Sequence, residues 1–213
     1  MRRNFRDFKI DRSCSEKYDD YKLYKPYLKK DFKNRCAYCN LLDNSITTPF
    51  EVEHFVPRDT FKDIWPECDT LYDNLMYSCK KCNMAKSSQY AGNILDKIVT
   101  NDYFYNPVVT DYGKIFYRND TGGIDSDDAK GKEMIKKLKL YRPIHNMAWI
   151  CETLKNTLDK LNMQLDKVGR DTEQGKILIR AKEELSDYYN ICRDVFIENY
   201  NNNKFVLDKA VHI

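Results

Sequence analysis

Four polar residues have the types and the spacing to cleave a phosphodiester bond. Glu53 and His54 are adjacent, and Asn83 and Lys86 follow later in the chain. Such cleavage needs a water nucleophile, a base that takes its proton, and a cation that neutralises the phosphate. Histidine suits the base because its ordinary pKa, about 6.5, leaves it largely neutral near pH 7. The side-chain oxygens of Glu53 and Asn83 suit Mg²⁺, which prefers hard oxygen ligands.

Two Cys-x-x-Cys pairs bracket the Glu-His dipeptide. They are Cys36 with Cys39, and Cys79 with Cys82. Each pair can supply two sulfurs from one tight turn, and two such turns brought together hold Zn²⁺ tetrahedrally. We expect this zinc to be structural, because four thiolates leave no open position for chemistry. The alternative is that the four cysteines are ordinary buried thiols.

The same region resembles the HNH endonucleases, a family whose ββα-metal site is often framed by two zinc-binding cysteine pairs. The resemblance covers about residues 30–90 and is carried by four segments. They are residues 36–39 (CAYC), 52–57 (VEHFVP), 73–75 (DNL) and 79–86 (CKKCNMAK). It implies a zinc-stapled ββα-metal core.

The resemblance also implies a role for each polar residue. His54 would be the general base, and Glu53 and Asn83 would hold a catalytic Mg²⁺ or Mn²⁺. Asn74 would brace the loop and orient the base, and Lys86 would lie near the scissile or an adjacent phosphate. Aspartate is commoner than glutamate before the base, so the ligand geometry at Glu53 can differ from the usual one. Asparagine at position 83, in place of histidine, favours Mg²⁺ or Mn²⁺ over a metal that prefers nitrogen.

Two other functions that use zinc compete with this interpretation. A zinc deaminase needs His-x-Glu followed by Pro-Cys-x-x-Cys, but here the acid directly precedes the histidine, and residues 66–68 (PEC) lack the second cysteine. That class is excluded. A catalytically inactive, zinc-stapled DNA-binding or adaptor module stays open, although it would have little reason to combine all the polar residues named above.

Several elements must position these residues. Residues 50–56 alternate apolar and polar side chains, which predicts a half-buried strand that ends at Pro57. A helix is predicted to begin near Asn83 and to end before Gly92. Before the first cysteine pair, residues 16–33 have helical spacing interrupted by a proline, which predicts a broken helix.

The second half of the chain has a different character. Residues 119–123 (NDTGG) predict the turn of a β-hairpin. Apolar stripes over residues 147–165 and 177–196 predict two helices. The fold class is therefore α+β, with an HNH core and a helical C-terminal extension. We predict a nuclease core with an N-terminal basic helix at 1–100, and a hairpin with a helical docking region at 101–213.

Composition and charge limit the cellular setting. The net charge is +3, and the first 35 residues hold 12 Lys+Arg against 6 Asp+Glu. This basic arm could meet phosphates, or it could be an ordinary solvated helix face. The sequence has no apolar run of about 18 residues and no secretory signal pattern, so we expect a cytoplasmic protein without a membrane span. Cysteines in that compartment are free or metal-bound.

The expected partners follow from the resemblance. DNA is the expected substrate, with RNA left open. The helical extension could dock on a partner such as an ATPase subunit, because the layout is similar to that of small HNH proteins in Septu-like anti-phage defence systems. A free-standing restriction-like or homing-type nuclease is the alternative.

Overall fold

The computed structural model describes residues 2–44 and 47–200, and the chain divides into two compact units. The first unit is Met1–Arg142, and the second is Pro143–Ile213. The division thus lies after Arg142 and not near residue 100, where the sequence placed it. The reason is that the predicted hairpin pairs with a strand at the N-terminus and so belongs to the first unit.

The elements of the first unit are short. Its strands are β1 (Arg3–Asn4), β2 (Glu51–His54), β3 (Leu75–Ser78), β4 (Tyr117–Arg118) and β5 (Ile124–Asp125). Its α-helices are α1 (Lys25–Asp31), α2 (Arg58–Phe61), α3 (Lys80–Lys86), α4 (Tyr112–Ile115) and α5 (Ala129–Lys137). Short 3-10 helices lie at Tyr21–Tyr24, Pro66–Asp69, Tyr72–Asn74 and Ile94–Asp96. The first of these leads directly into α1, so helical structure before the first cysteine pair covers residues 21–31 of the predicted 16–33. The proline does not interrupt it, because Pro26 lies in the first turn of α1, where no helical N–H bond is lost.

Strands β2 and β3 form an antiparallel pair that leads into α3, so the order is ββα. Glu53 lies opposite Met76, and His54 lies opposite Leu75. All four residues of β3 are buried. The predicted strand before Pro57 is confirmed, and it is four residues long. The α+β fold class is confirmed with it.

Helix α3 begins earlier than the sequence predicted. Its first residue is Lys80, because Cys79 is the residue with extended backbone at the helix entrance. The carbonyl oxygen of Cys79 accepts a hydrogen bond from the Asn83 N–H at 3.0 Å. Asn83 is therefore an interior helical residue and not a cap. Lys86 follows one turn later, so both side chains lie on the same face of the helix.

The predicted hairpin is confirmed as β4 and β5, which form a three-stranded antiparallel sheet with β1. The Asn119 side-chain oxygen accepts the Gly123 N–H at 2.8 Å and closes the turn. Gly122 has φ +79°, a conformation that favours glycine. Buried Arg118 donates to the Cys39 carbonyl oxygen at 3.2 Å. The hairpin thus contacts the first cysteine turn.

The core of the first unit is rich in aromatic side chains. Phe50 packs on Tyr77 with ring centroids 5.4 Å apart, and Tyr112 packs edge-on against Phe116 at 5.1 Å. The four paired cysteines belong to the same buried cluster. The cysteine turns are therefore part of the core of this unit.

The second unit contains the two predicted helices, α6 (Pro143–Val168) and α7 (Glu173–Tyr200), which pack on each other. Gly169 ends α6 with φ +82°. At the start of α7, the Thr172 hydroxyl accepts the Gly175 N–H at 2.9 Å. No helix in the described part of the chain is both long and apolar enough to cross a membrane.

Candidate functional site

The two Cys-x-x-Cys pairs meet in the core. The sulfur atoms of Cys36, Cys39, Cys79 and Cys82 all lie within 4.8 Å of one another, and all four residues are buried. The sulfurs of Cys39 and Cys79 are 3.8 Å apart. A tetrahedral zinc with Zn–S bonds of about 2.3 Å places its sulfurs about 3.8 Å apart. The four-cysteine cluster therefore has the donor set and the spacing of a structural zinc site.

The electrostatics of this cluster also fit a cation. Hydrogen bonds from the neighbouring thiols, together with burial, raise the pKa of Cys79 and of Cys82 well above the ordinary value. Four buried thiolates would repel one another unless a divalent ion compensated their charge. Buried Arg6 donates to the Ala37 carbonyl oxygen at 2.6 Å and fixes the backbone of the first cysteine turn.

One face of β2 carries a buried ion pair. The Glu53 carboxylate is 4% exposed. Its Oε1 lies 2.5 Å from the Lys86 ammonium. Its Oε2 accepts a hydrogen bond from the Tyr38 hydroxyl at 2.5 Å. Burial, followed by the charge of Glu53, raises the pKa of Tyr38 well above its ordinary value, so Tyr38 stays a donor.

Lys86 lies in a different environment from the one that the sequence predicted. It is fully buried, and its ammonium also donates to the His54 carbonyl oxygen at 2.9 Å. The rings of Phe55 and Phe104 lie 5.9 Å from the same ammonium. The ammonium therefore contacts β2 inside the protein, where a phosphate in solvent does not reach it. The physical reason is that a buried carboxylate such as Glu53 needs a buried cation beside it.

Asn83 contacts a carboxylate that sequence reasoning missed. Its amide donates to Glu51 Oε2 at 2.6 Å, and no such contact joins it to Glu53 in the part of the chain that the structure describes. Glu51 precedes Glu53 by two residues in β2, so the two side chains share a face. The alternation of side-chain direction along the predicted strand was the sequence signal that could have identified Glu51. Glu51, Glu53 and Asn83 together offer hard oxygen donors, and a carboxylate with two hydrogen bonds keeps further lone pairs. Oxygen donors of this type suit Mg²⁺ or Mn²⁺.

His54 lies on the opposite face of β2 and is 8% exposed. Its Nε2 lies 2.9 Å from the Asp69 carbonyl oxygen and 3.1 Å from Asp69 Oδ1. A carbonyl oxygen only accepts, so Nε2 carries the proton and Nδ1 carries the lone pair. The rings of Tyr21 and Phe61 pack on the imidazole. Burial lowers the pKa of His54, and the Asp69 hydrogen bond and charge act in the opposite direction.

Asn74 ties together the two segments that flank this histidine. It is fully buried, and its Oδ1 accepts the Val56 N–H at 2.7 Å. Its amide donates to the carbonyl oxygens of Val56 and Cys68 at 3.2 and 3.3 Å. The Asn74 carbonyl oxygen accepts the Phe55 N–H at 2.8 Å. A brace of this kind is what the resemblance implied for Asn74, and its effect on catalysis stays a prediction.

Comparison with known proteins connects this geometry to a family. Residues 36–89 match the family model of the HNH endonucleases. These residues carry an HNH endonuclease domain. Over 211 residues the chain is 26% identical to the Septu protein PtuB of Bacillus thuringiensis, an alignment that covers 89% of this chain and 74% of that protein. No solved structure matches the chain.

The HNH domain also gathers residues that the sequence did not single out. Arg58 contacts Asp69 twice, from Nε to Oδ1 at 2.8 Å and from Nη2 to Oδ2 at 3.2 Å. The Arg58 guanidinium also lies 5.4 Å from the ring centre of Tyr21. Asp69 lies in a 3-10 helix and Tyr21 precedes α1, so neither shares a motif with His54. No sequence signal could have brought them together.

Proposed function

We propose that this chain is a metal-dependent endonuclease that hydrolyses phosphodiester bonds of DNA. The observation that carries the proposal is the setting of His54 in an HNH domain. Its Nε2 is engaged by Asp69, its backbone is braced by Asn74, and oxygen donors lie on the other face of its strand. The four-cysteine cluster joins the cysteine turn that precedes β2 to the cysteine turn at the start of α3.

In this proposal, His54 accepts the proton of the attacking water. The Nε2–H bond to Asp69 fixes the ring and leaves Nδ1 as the accepting atom. Burial lowers the pKa of His54, which keeps the imidazole unprotonated before attack. As the water oxygen bonds to phosphorus, its proton moves to Nδ1 and the bond to the departing oxygen breaks. The Asp69 carboxylate then stabilises the imidazolium.

Glu53 and Asn83 would hold the catalytic Mg²⁺ or Mn²⁺, with Glu51 beside Asn83 as a further oxygen donor. When bound, such a cation neutralises charge on the scissile phosphate and on the departing oxygen. Lys86 contributes through Glu53, because its ammonium holds that carboxylate and the His54 carbonyl in place. We therefore assign Lys86 a positioning role in place of a phosphate contact.

The similarity to PtuB supports a role in anti-phage defence. Septu-like systems pair a small HNH protein with an ATPase, and we propose that this chain is the effector of such a complex in the cytoplasm. The helices α6 and α7 would then form the docking region for the ATPase subunit. Exposed apolar side chains on these helices support this assignment, and they include Met163, Ile177, Tyr188 and Ile191.

One observation favours the second candidate, a catalytically inactive zinc-stapled DNA-binding or adaptor module. The Glu53 carboxylate is already paired with Lys86 and Tyr38. A chain that no longer bound a catalytic cation could keep this pair for stability alone. Such a module would bind DNA and zinc without any cleavage that depends on Mg²⁺.

A cleavage assay separates the two candidates. Zinc-loaded protein would be incubated with supercoiled, linear and single-stranded DNA and with RNA, in Mg²⁺, in Mn²⁺ or in EDTA. We expect wild type to cut DNA only with the divalent ion, and His54→Ala to lose cleavage while keeping its zinc. Wild-type cutting by His54→Ala would reject the mechanism. Cleavage of RNA alone would change the substrate class, and DNA binding without cleavage would support the adaptor.

A further inference from the structure

We propose that Arg58 is a substrate-positioning residue that binds a backbone phosphate next to the scissile one, assisted by Lys22. This inference rests on the proposed nuclease function and adds the group that receives the nucleic acid beside the base.

The first argument is how Arg58 is held. Its side chain is 57% exposed, and Asp69 contacts one edge of the guanidinium through two atoms. An arginine has five N–H donors, so this contact leaves three on an exposed group. A guanidinium fixed along one edge loses little further freedom when it binds an anion, and phosphate matches its planar donors.

The second argument is where Arg58 lies. The Tyr21 ring is 5.4 Å from the Arg58 guanidinium carbon and packs edge-on against the His54 ring at 4.8 Å. Lys22, which is also exposed, has its ammonium 5.9 Å from the same Tyr21 ring. Two cations therefore border the aromatic side chain that touches the proposed base. A phosphate bound by them would place the neighbouring phosphodiester close to His54.

The third argument is the contrast with Lys86. The resemblance implied that Lys86 contacts a phosphate, but its ammonium is buried against Glu53. A phosphate on a long polyanion can meet only cations that solvent reaches. Arg58 satisfies this condition and lies on the His54 face of β2.

Arg58 could instead act only by holding Asp69, and thereby His54. The two roles differ in a property other than cleavage, namely DNA affinity in a protein that lacks His54. A residue that only orients the base should leave this affinity unchanged. Removal of a residue that binds phosphate should lower both the DNA affinity and the dependence of that affinity on salt.

The test measures binding of a fluorescent DNA duplex by His54→Ala protein between about 50 and 200 mM salt. Adding Arg58→Ala should weaken binding about tenfold and reduce the slope of log affinity against log salt by about one. Arg58→Lys, which keeps the charge, should restore part of the affinity.

Arg2 offers a matched control. It also pairs with a carboxylate, Asp127, stacks on a tyrosine ring, Tyr117, and is exposed, but it adjoins the three-stranded sheet. Arg2→Ala should leave both the affinity and the salt slope unchanged. An unchanged slope in Arg58→Ala, or an equal loss in Arg2→Ala, would overturn the assignment. If the parent protein bound no nucleic acid, the proposed function itself would fail, and this inference with it.

Discussion

The two faces of β2 differ in how far the charged side chains on them are exposed to solvent. On the face toward α3, Glu53 and Lys86 are 4% and 0% exposed and neutralise each other. On the other face, His54 is also buried, at 8% exposed, but the Arg58 side chain beside it is 57% exposed. A strand with a period of two residues can therefore hold a sealed ion pair on one side and groups that meet a substrate on the other.

The difference separates stability from recognition. A buried ion pair contributes little net free energy, but removal of one partner is costly because the other charge stays uncompensated. An exposed arginine contributes little to stability and can be changed without loss of the fold. Removal of the Lys86 charge should therefore change chiefly the free energy of unfolding, whereas variants on the His54 face should change activity or DNA affinity.

The largest effect should come from the cluster on which both faces depend. Cys79→Ser removes one zinc ligand, and a structural zinc site contributes on the order of 10 kcal/mol to folding. We expect a protein that is unfolded or aggregated and has lost zinc, measured by circular dichroism and metal analysis. Cys14→Ser is the control, because Cys14 lies outside the cluster. A well-folded Cys79→Ser protein without zinc would show that the cluster does not support the fold.

The next largest effect is expected for His54→Ala, which should lower the rate of DNA cleavage and leave the fold intact. Loss of a general base lowers the rate about 10²–10⁴-fold. We expect this loss in steady-state cleavage of plasmid DNA, with zinc content retained and thermal unfolding close to wild type. A comparable loss of stability would mean that the two faces are not separable.

On the other face, Lys86→Met should act mainly on stability. It leaves the Glu53 carboxylate buried without its cation, at a cost of about 3 kcal/mol, measured by urea unfolding. The exposed lysine Lys62, which pairs with Asp59, provides the control, and Lys62→Met should unfold like wild type. Adding Glu53→Gln to Lys86→Met should recover part of the stability. A stable Lys86→Met protein with weakened DNA binding would restore the phosphate role that the resemblance implied.

The smallest effect is expected for Asn74→Ala. It leaves the buried Val56 N–H without its acceptor, which costs about 1–3 kcal/mol. Because Asn74 lies beside the backbone of the base, we also expect a fall in kcat with little change in KM. A variant with normal kcat and reduced stability would limit Asn74 to a structural role.

Much of the first unit was predictable because its signals are local. The cysteine spacing predicted that two turns would meet, and their sulfurs lie within 4.8 Å. The strand before Pro57 and the hairpin around residues 119–123 were also found. The start of α3 was misplaced by three residues, because the second cysteine turn is itself the first turn of the helix.

The sequence by itself determined the chemical inventory: two cysteine pairs, a histidine next to an acid, and an asparagine placed after the second pair. Tertiary structure decided which groups touch. It buried Lys86 against Glu53, turned Asn83 toward Glu51, and set Asp69 on His54. Spacing along the chain indicates which residues share a strand or helix face. Burial and long-range contacts depend on how separate elements pack, and only the folded chain fixes that packing.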